Sequence, residues 1–138
     1  KTLGVRMRKH NENAQILAEY LVKEKRVGAV YYPGLKSHPG HAIAAGQMHG
    51  FGGMMSFELI KEIDAVAFQK SLKLIKPSMS LAGVESTILM PSLTSHSLMS
   101  AKERENIGIA QNLLRFSVGI ENPEDIISDI DQALNRVS

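Results

Sequence analysis

The chain has 138 residues, of which 43% are hydrophobic and 22% are charged, a composition typical of one globular domain. Its formal net charge is only +2, its Lys and Arg residues are scattered, and no apolar run is long enough to cross a bilayer, so neither nucleic acid nor a membrane is an expected partner. The absence of cysteine excludes a disulfide framework and a thiolate metal site, and it suits a reducing compartment, so the predicted location is cytoplasmic.

Residues 1–26 are predicted to form one long helix. One stripe of this helix repeats at spacings of three and four residues: Leu3, Met7, His10, Ala14, Leu17 and Leu21. Cations at 23–26 suit a helix C-terminus, and Gly28 is placed to stop the helix. The sequence begins inside this pattern without an initiator methionine, so we expect the chain to be part of a longer protein.

The next elements are a strand, a turn and a second helix. Residues 27–32 are β-branched and aromatic and predict a strand that ends at Pro33. Ser37 is predicted to cap a helix over residues 38–48. A glycine-rich segment at 50–53 follows and leads into a predicted strand. Because a glycine-rich loop holds phosphate best when it opens a helix, this segment is interpreted as a turn that allows close packing.

Three predicted elements occupy the middle of the chain. Asp64 is expected to cap a helix that reaches about residue 74. Residues 76–83 contain proline and glycine and predict a loop or a distorted edge strand. A strand is predicted over 86–90, before Pro91.

Two later helices have clear start signals. Ser100 and Glu103 form a capping-box pattern, and Asn122 followed by Pro123 begins the final helix. Mixing of strands and helices indicates an α+β fold. We expect a small, mostly antiparallel sheet with helices packed on one face, preceded by the long N-terminal linking helix.

Residues 113–121 alternate and predict a strand with two different faces. Leu114, Phe116, Val118 and Ile120 form a core face, whereas Arg115, Ser117 and Gly119 form the other. The two small side chains are expected to leave open volume around the guanidinium, whose rigid donors suit a carboxylate or phosphate. The alternative is an ordinary surface arginine on a half-buried strand.

Two histidine-containing patterns are further candidate sites. His38 and His41 have a spacing that suits metal ligation, but no third ligand lies beside them, and no metal site is predicted. Ser95 and His96 could form a hydroxyl–base pair. Adjacent side chains of an extended segment point apart, so a capping or hydrogen-bonding role is expected instead.

Several local sequences, in this order, resemble the C-terminal domain of the pyridoxal-phosphate-dependent Cys/Met metabolism (trans-sulfuration) enzymes. They are Tyr32-Pro33-Gly34-Leu35, Ser37-His38-Pro39, Gln47-Met48-x-Gly50-Phe51-Gly52-Gly53-Met54, Ser56-Phe57-Glu58-Leu59, Ser80-Leu81-Ala82-Gly83-Val84-Glu85-Ser86 and Arg115-Phe116-Ser117-Val118-Gly119-Ile120-Glu121. The resemblance covers nearly the whole chain. It implies that residues 1–26 link from a large cofactor domain and that residues 27–138 form a C-terminal domain that binds the substrate carboxylate.

The resemblance also implies roles for individual residues. Arg115 occupies the position that binds the substrate α-carboxylate, and Ser80 occupies that of a serine helping at the same group. Ala82 stands where many members have glycine, which matters only if the backbone there needs a positive φ. Met79 precedes the serine, at a position that is glutamate in many γ-synthases and γ-lyases and apolar in methionine γ-lyases and some β-lyases. It is interpreted as a specificity position that favours a C–S lyase over a γ-synthase.

The implied activity is that of a C–S lyase acting on cystathionine or related sulfur amino acids by β- or γ-elimination. The alternatives are γ-replacement on an activated homoserine ester, as in a cystathionine γ-synthase, and a catalytically inactive structural or assembly module. Members are usually tetramers. The family's cofactor lysine lies in a Ser-x-Thr-Lys sequence that is absent here, so these residues alone are expected to hold no pyridoxal phosphate and to contain no catalytic residue.

Overall fold

The computed structural model describes all 138 residues, as five α-helices and five strands with one 3₁₀ turn at Pro91–Leu93. In chain order the elements are α1 (Leu3–Lys23), β1 (Val27–Tyr31), α2 (His41–Gln47), β2 (Met54–Leu59), α3 (Ala65–Ser71), β3 (Lys76–Pro77), β4 (Thr87–Leu89), α4 (Ala101–Asn106), β5 (Leu113–Ser117) and α5 (Pro123–Val137). None of the helices has the length and hydropathy that crossing a membrane requires.

The five strands form one sheet in the order β1-β2-β5-β4-β3. All neighbouring pairs are antiparallel except β3 and β4, and β3 is a two-residue edge strand. The last strand of the sequence therefore lies at the centre of the sheet. The predicted α+β class, with a mostly antiparallel sheet, is confirmed.

The hydrophobic core lies between one face of the sheet and the helices. Phe57 of β2 packs edge-to-face against Phe68 of α3 and Phe116 of β5, with both ring centroids 6.4 Å away. The predicted stripe of α1 is confirmed from His10 onward, because His10, Ala14, Leu17 and Leu21 are all buried. Ala18, outside the predicted stripe, is fully buried as well. The stripe fails at its start, because Leu3 is 63% exposed.

The end of α1 differs from the prediction. The helix stops at Lys23, and Gly28 lies inside β1 rather than acting as the stop signal. Arg26 sets the turn, because its Nε atom lies 2.8 Å from the Glu24 carboxylate and its Nη2 atom lies 3.1 Å from Asp131 on α5. This ion-pair cluster fixes the chain between helix and strand.

The start of α2 also differs. The helix begins at His41, with Gly40 rather than Ser37 at its N-cap. The residues before it form consecutive turns instead, since the His38 N–H donates to the Leu35 carbonyl and the Gly40 N–H donates to Nδ1 of His38. These local bonds compete with the helix that the sequence predicted.

The caps of the other helices are as predicted. Asp64 accepts the N–H groups of Val66 and Ala67, Ser100 and Glu103 form a reciprocal capping box, and Asn122 accepts the N–H of Glu124. Helix α3 nevertheless ends at Ser71, earlier than expected.

Candidate functional site

Arg115 lies in the middle of the sheet, on the face opposite the helices. In the strand register it pairs with Ser56 of β2 and Leu89 of β4, and Ser56 pairs in turn with Tyr31 of β1. Because register partners project to the same side, these four residues form one row across the sheet. Its neighbours Leu114 and Phe116 are buried in the core, so the predicted alternation is confirmed within β5. The strand ends at Ser117, earlier than predicted, and Ile120 lies outside the core.

The Arg115 guanidinium has an unmet capacity for hydrogen bonds. The side chain is half-buried, and its Nη2 atom is buried without a hydrogen-bond partner. The three ion pairs of the chain involve only Lys9 and Arg26 as cations, so no carboxylate of this chain neutralises Arg115. A buried donor without a partner is unusual and costly. An external carboxylate would satisfy it through two parallel bonds.

A shallow cleft of about 240 Å³ gives access to this arginine. Tyr31, Met54, Met55 and Ser56 complete its lining. The Tyr31 hydroxyl donates to Oε1 of Glu58 over 2.8 Å, and this hydrogen bond raises the pKa of Tyr31. At neutral pH Tyr31 is therefore an uncharged group at the rim of the cleft, and its hydroxyl already donates to a carboxylate. Arg115 is the only cation that lines the cleft.

The open volume predicted around the guanidinium is present, but it does not lie on the side of Ser117 and Gly119. Ser117 lines a separate cavity of about 200 Å³ that Arg115 does not line. The segment 80–86 lies over these residues, and the Ala82 N–H donates to Oγ of Ser117 over 3.3 Å. A Cβ atom on Gly119 would come within 2.5 Å of the Val84 carbonyl oxygen and 2.6 Å of the Ser86 nitrogen. The small side chains therefore admit a loop of the same chain, and the open space next to Arg115 lies on the β1–β2 side.

Ser80 lies in a different cleft from Arg115. Its cleft, of about 460 Å³, is lined by residues that include Lys76, Glu85 and Thr87 but not Arg115. The two residues are nevertheless near in the sheet, because the Ser80 carbonyl accepts a hydrogen bond from Oγ1 of Thr87, and Thr87 pairs with Ser117. The Ser80 hydroxyl is exposed, and Met79 beside it is 69% exposed.

The backbone at Ala82 has a positive φ. The presence of alanine in place of glycine therefore matters here, because glycine adopts a positive φ without steric cost. The Ala82 φ of 55° is the only positive value at a non-glycine residue of the chain. The left-handed conformation costs an L-residue about 1 kcal/mol. This cost falls on the segment that carries Ser80.

Four supporting residues of the site were not predicted: His10, Asn13, Ser86 and Glu121. Each of them has a polar side chain at a position that the fold buries or partly buries. The sequence alone indicates such a position only for His10, because His10 lies on the apolar stripe of α1. The ring Nδ1 of His10 donates to the Val118 carbonyl over 2.7 Å. The Asn13 amide donates to the carbonyls of Gly119 and Glu121 over 3.1 and 2.7 Å.

The two histidine-containing patterns form no catalytic or metal site in this fold. His38 accepts the Gly40 N–H, and His41 lies 2.7 Å from the Pro33 carbonyl with its ring stacked on Phe51. No group of three His, Cys, Asp or Glu side chains is placed to hold a metal ion. The expectation that Ser95 and His96 point apart is wrong, since a turn brings Oγ and Nδ1 to 2.8 Å, but both are solvent-accessible and no acid orients the ring.

Comparison with known proteins shows which family has this arrangement. Residues 1–135 match the family described as Cys/Met metabolism PLP-dependent enzyme. The chain belongs to this family. The resemblance inferred from the local sequences is thereby confirmed.

Similar proteins of the family carry out different reactions. A cystathionine beta-lyase of Lactococcus lactis subsp. cremoris (strain MG1363) is 48% identical over 99% of this chain. The structure of a cystathionine gamma-lyase from Lactobacillus plantarum complexed with L-serine superposes with a TM-score of 0.94 at 36% identity over 99% of the chain. That of a cystathionine gamma synthase from Xanthomonas oryzae pv. oryzae in complex with cystathionine gives 0.91 at 47% identity over 98%. The chain spans 36%, 36% and 35% of the length of these three proteins, respectively.

The family depends on pyridoxal phosphate, but neither the cleft of Arg115 nor the glycine-rich segment fits this cofactor. No lysine lines the cleft of Arg115, so no amine is placed there to bind an aldehyde. The glycine-rich segment precedes a strand, and its Gly52 N–H already donates to Oδ1 of Asn11 over 2.8 Å. Gly53 packs against α1, where a Cβ would lie 3.1 Å from that of His10. The segment is therefore a close-packing turn, and the unpartnered Arg115 guanidinium is suited to an external carboxylate.

Proposed function

We propose that this chain supplies the substrate α-carboxylate site of a pyridoxal-phosphate-dependent C–S lyase. The observation that carries the proposal is Arg115, a central guanidinium with a buried, unpartnered Nη2 atom and an open cleft beside it. The proposed substrates are cystathionine and related sulfur amino acids, which would undergo β- or γ-elimination. The proposal rests on family membership together with this unsatisfied cation.

The role of Arg115 is to orient the amino acid. Bound pyridoxal phosphate, held elsewhere in the protein, supplies the electron sink for chemistry at the α-carbon. Two parallel hydrogen bonds from the guanidinium would fix the carboxylate, and with it the torsion that selects which bond at that carbon reacts. Because Arg115 is fixed in the centre of β5, the sheet holds this geometry rigidly.

Ser80 and Met79 are proposed to complete the substrate contacts. The exposed Ser80 hydroxyl makes no hydrogen bond within the chain and is available as a second donor to the carboxylate. Its cleft is separate from that of Arg115, so the proposal requires the loop that carries it to close over the bound substrate. Met79 is proposed as a specificity position. It has no charge for a distal ammonium, like the apolar residue at this position in methionine γ-lyases and some β-lyases, which favours a C–S lyase over γ-replacement.

The organisation of the whole protein is also proposed. Residues 1–26 would lead from a large cofactor domain, which is consistent with the exposed Leu3 and Val5 at the start of α1. Residues 27–138 would form the C-terminal domain. The protein is proposed to act as a homotetramer in the cytoplasm.

Two other functions remain as candidates. A γ-synthase activity is supported by the 47% identity to the Xanthomonas protein. A catalytically inactive assembly module is the non-enzyme candidate, and it predicts that the sequence preceding residue 1 lacks a Ser-x-Thr-Lys motif.

The test is the keto acid released when the full-length protein, loaded with pyridoxal phosphate, is given cystathionine. Pyruvate would identify β-elimination, and 2-oxobutyrate would identify γ-elimination. Arg115→Leu should raise KM at least tenfold and also lower kcat, because both binding and orientation are lost. Arg136→Leu, at an exposed arginine of α5, is the matched control and should leave both constants unchanged. Unchanged kinetics for Arg115→Leu would remove this residue from the site. Formation of cystathionine from cysteine plus an activated homoserine ester, without keto acid from cystathionine, would favour the γ-synthase.

A further inference from the structure

The carboxylate of Glu121 holds the loop that carries Ser80. Its Oε1 atom accepts the Ser86 N–H over 2.6 Å, and its Oε2 atom accepts the Ser86 hydroxyl over 2.9 Å. Glu121 lies just after β5, and Ser86 lies at the end of the loop, 35 residues earlier in the sequence. Both carboxylate oxygens of Glu121 therefore accept hydrogen bonds from Ser86.

Ser86 is fixed at every polar atom. It is fully buried, its hydroxyl oxygen accepts the Gly119 N–H over 2.9 Å, and its carbonyl accepts the Lys76 N–H over 3.0 Å. Since hydrogen bonds to a carboxylate are stronger than those between neutral groups, the two bonds to Glu121 are the strongest of this set. Ser86 is thus a rigid end point for the loop.

Fewer contacts fix the rest of the loop. The Ile120 N–H donates to the Val84 carbonyl over 2.9 Å, and the Ala82 N–H makes the longer bond to Ser117. Ser80 itself is held by its carbonyl bond to Thr87, and its hydroxyl is free. All these partners lie on β4, β5 or the residues that follow β5, so the sheet that positions Arg115 also positions the loop.

The other side of the segment after β5 is held by α1. His10 and Asn13 bind the carbonyls of Val118, Gly119 and Glu121. Because these bonds use the backbone of the segment, they leave the Glu121 carboxylate free to bind Ser86. The backbone of Glu121 is therefore held by α1, whereas its carboxylate binds Ser86 of the loop.

We infer that Glu121 is a positioning residue for substrate binding, acting through Ser86 on the loop that presents Ser80 next to the Arg115 site. The inference deepens the proposed function and rests on it for the role of Ser80. Loss of the Glu121 carboxylate would release the loop from β5 while leaving Arg115 in place.

The experiment uses Glu121→Gln and Ser86→Ala in the full-length protein, with Glu62→Gln as the matched control. Glu62 is exposed and makes no ion pair or side-chain hydrogen bond in the chain. Hydrogen–deuterium exchange over residues 78–90 should rise in both test variants and stay unchanged in the control. KM for cystathionine should rise about tenfold with kcat within about twofold, the effect of losing one charge-assisted bond that acts only on binding.

Exchange is measured without turnover, so it tests the loop anchor independently of the substrate. Faster exchange in both variants supports the loop anchor whatever the kinetics of Arg115→Leu. Normal kinetics for Arg115→Leu would contradict the proposed function and would not affect the loop anchor. Unchanged exchange over 78–90 would overturn the inference. Faster exchange with an unchanged KM would also overturn it, because the loop would then have no part in binding. If Glu121→Gln does not fold, Ser86→Ala still allows the measurement, because alanine adds no volume at this buried position.

Discussion

Asp129 of α5 and the backbone of Ile75 are joined by a hydrogen bond of 2.9 Å across 54 residues of sequence. The same carboxylate accepts the N–H groups of Lys73 and Leu74 over 2.8 Å each, and Asp129 is only 6% exposed. Three consecutive amides that would otherwise continue α3 or bind water are turned toward α5. This explains why α3 ends before the position that its sequence predicts.

Asp129→Ala should lower the free energy of unfolding by about 3 kcal/mol, because it leaves the buried Ile75 amide and two partly buried amides without an acceptor. Asp125→Ala is the control on the same helix, since Asp125 is exposed in the first turn and should cost less than about 1 kcal/mol. Urea unfolding of the 138-residue chain measures both. Equal losses for the two variants would mean that the hydrogen bonds from Asp129 to the three amides add no stability.

Ala82→Gly should stabilise the chain by up to about 1 kcal/mol, because glycine adopts the positive φ of this position without the steric cost that alanine bears. The same substitution at Ala45, an exposed residue inside α2, should destabilise by about 1 kcal/mol. Urea unfolding measures the change in the free energy of unfolding for both variants, and the two changes are expected to have opposite signs. A loss of stability at both sites would contradict the left-handed conformation of Ala82.

The cluster around Arg26 should make stability depend on pH. The hydrogen bond from the Arg26 side chain is the main cause that lowers the pKa of Glu24. A lowered folded-state pKa means that the stabilisation is fully present above the unfolded value of about 4.3 and is lost as pH falls through the lower folded value. Arg26→Ala should therefore cost about 1–2 kcal/mol at pH 7 and less near pH 3. Arg136→Ala is the control, and a cost for Arg26→Ala that does not change with pH would exclude Glu24 as the source.

The sequence predicted those parts of the fold that local patterns determine. The caps at Asp64, Ser100 and Asn122 and the alternation along β5 depend on neighbouring residues, and all of them are confirmed. Contacts between distant residues caused the errors. Ser117 and Gly119 are small because a loop more than 30 residues away lies over them, and no local pattern carries that information.

The same distinction applies to the site. The alternation along its strand identifies Arg115 from the sequence. The role of Glu121 depends on Ser86, which is near it only in three dimensions, so no local pattern indicates it. A local pattern likewise does not give the φ of Ala82, and the structure shows that it is positive.

The central place of β5 also has a consequence for how the protein is made. During synthesis, β1 and β2 leave the ribosome as a hairpin-like pair and β3 and β4 as a second pair, but the strand that must lie between them is made last. Until then β2 and β4 both have an open edge, which is a hazard for aggregation. A nascent chain that stalls before residue 113 cannot close the sheet, and we expect it to depend on chaperones or to be degraded.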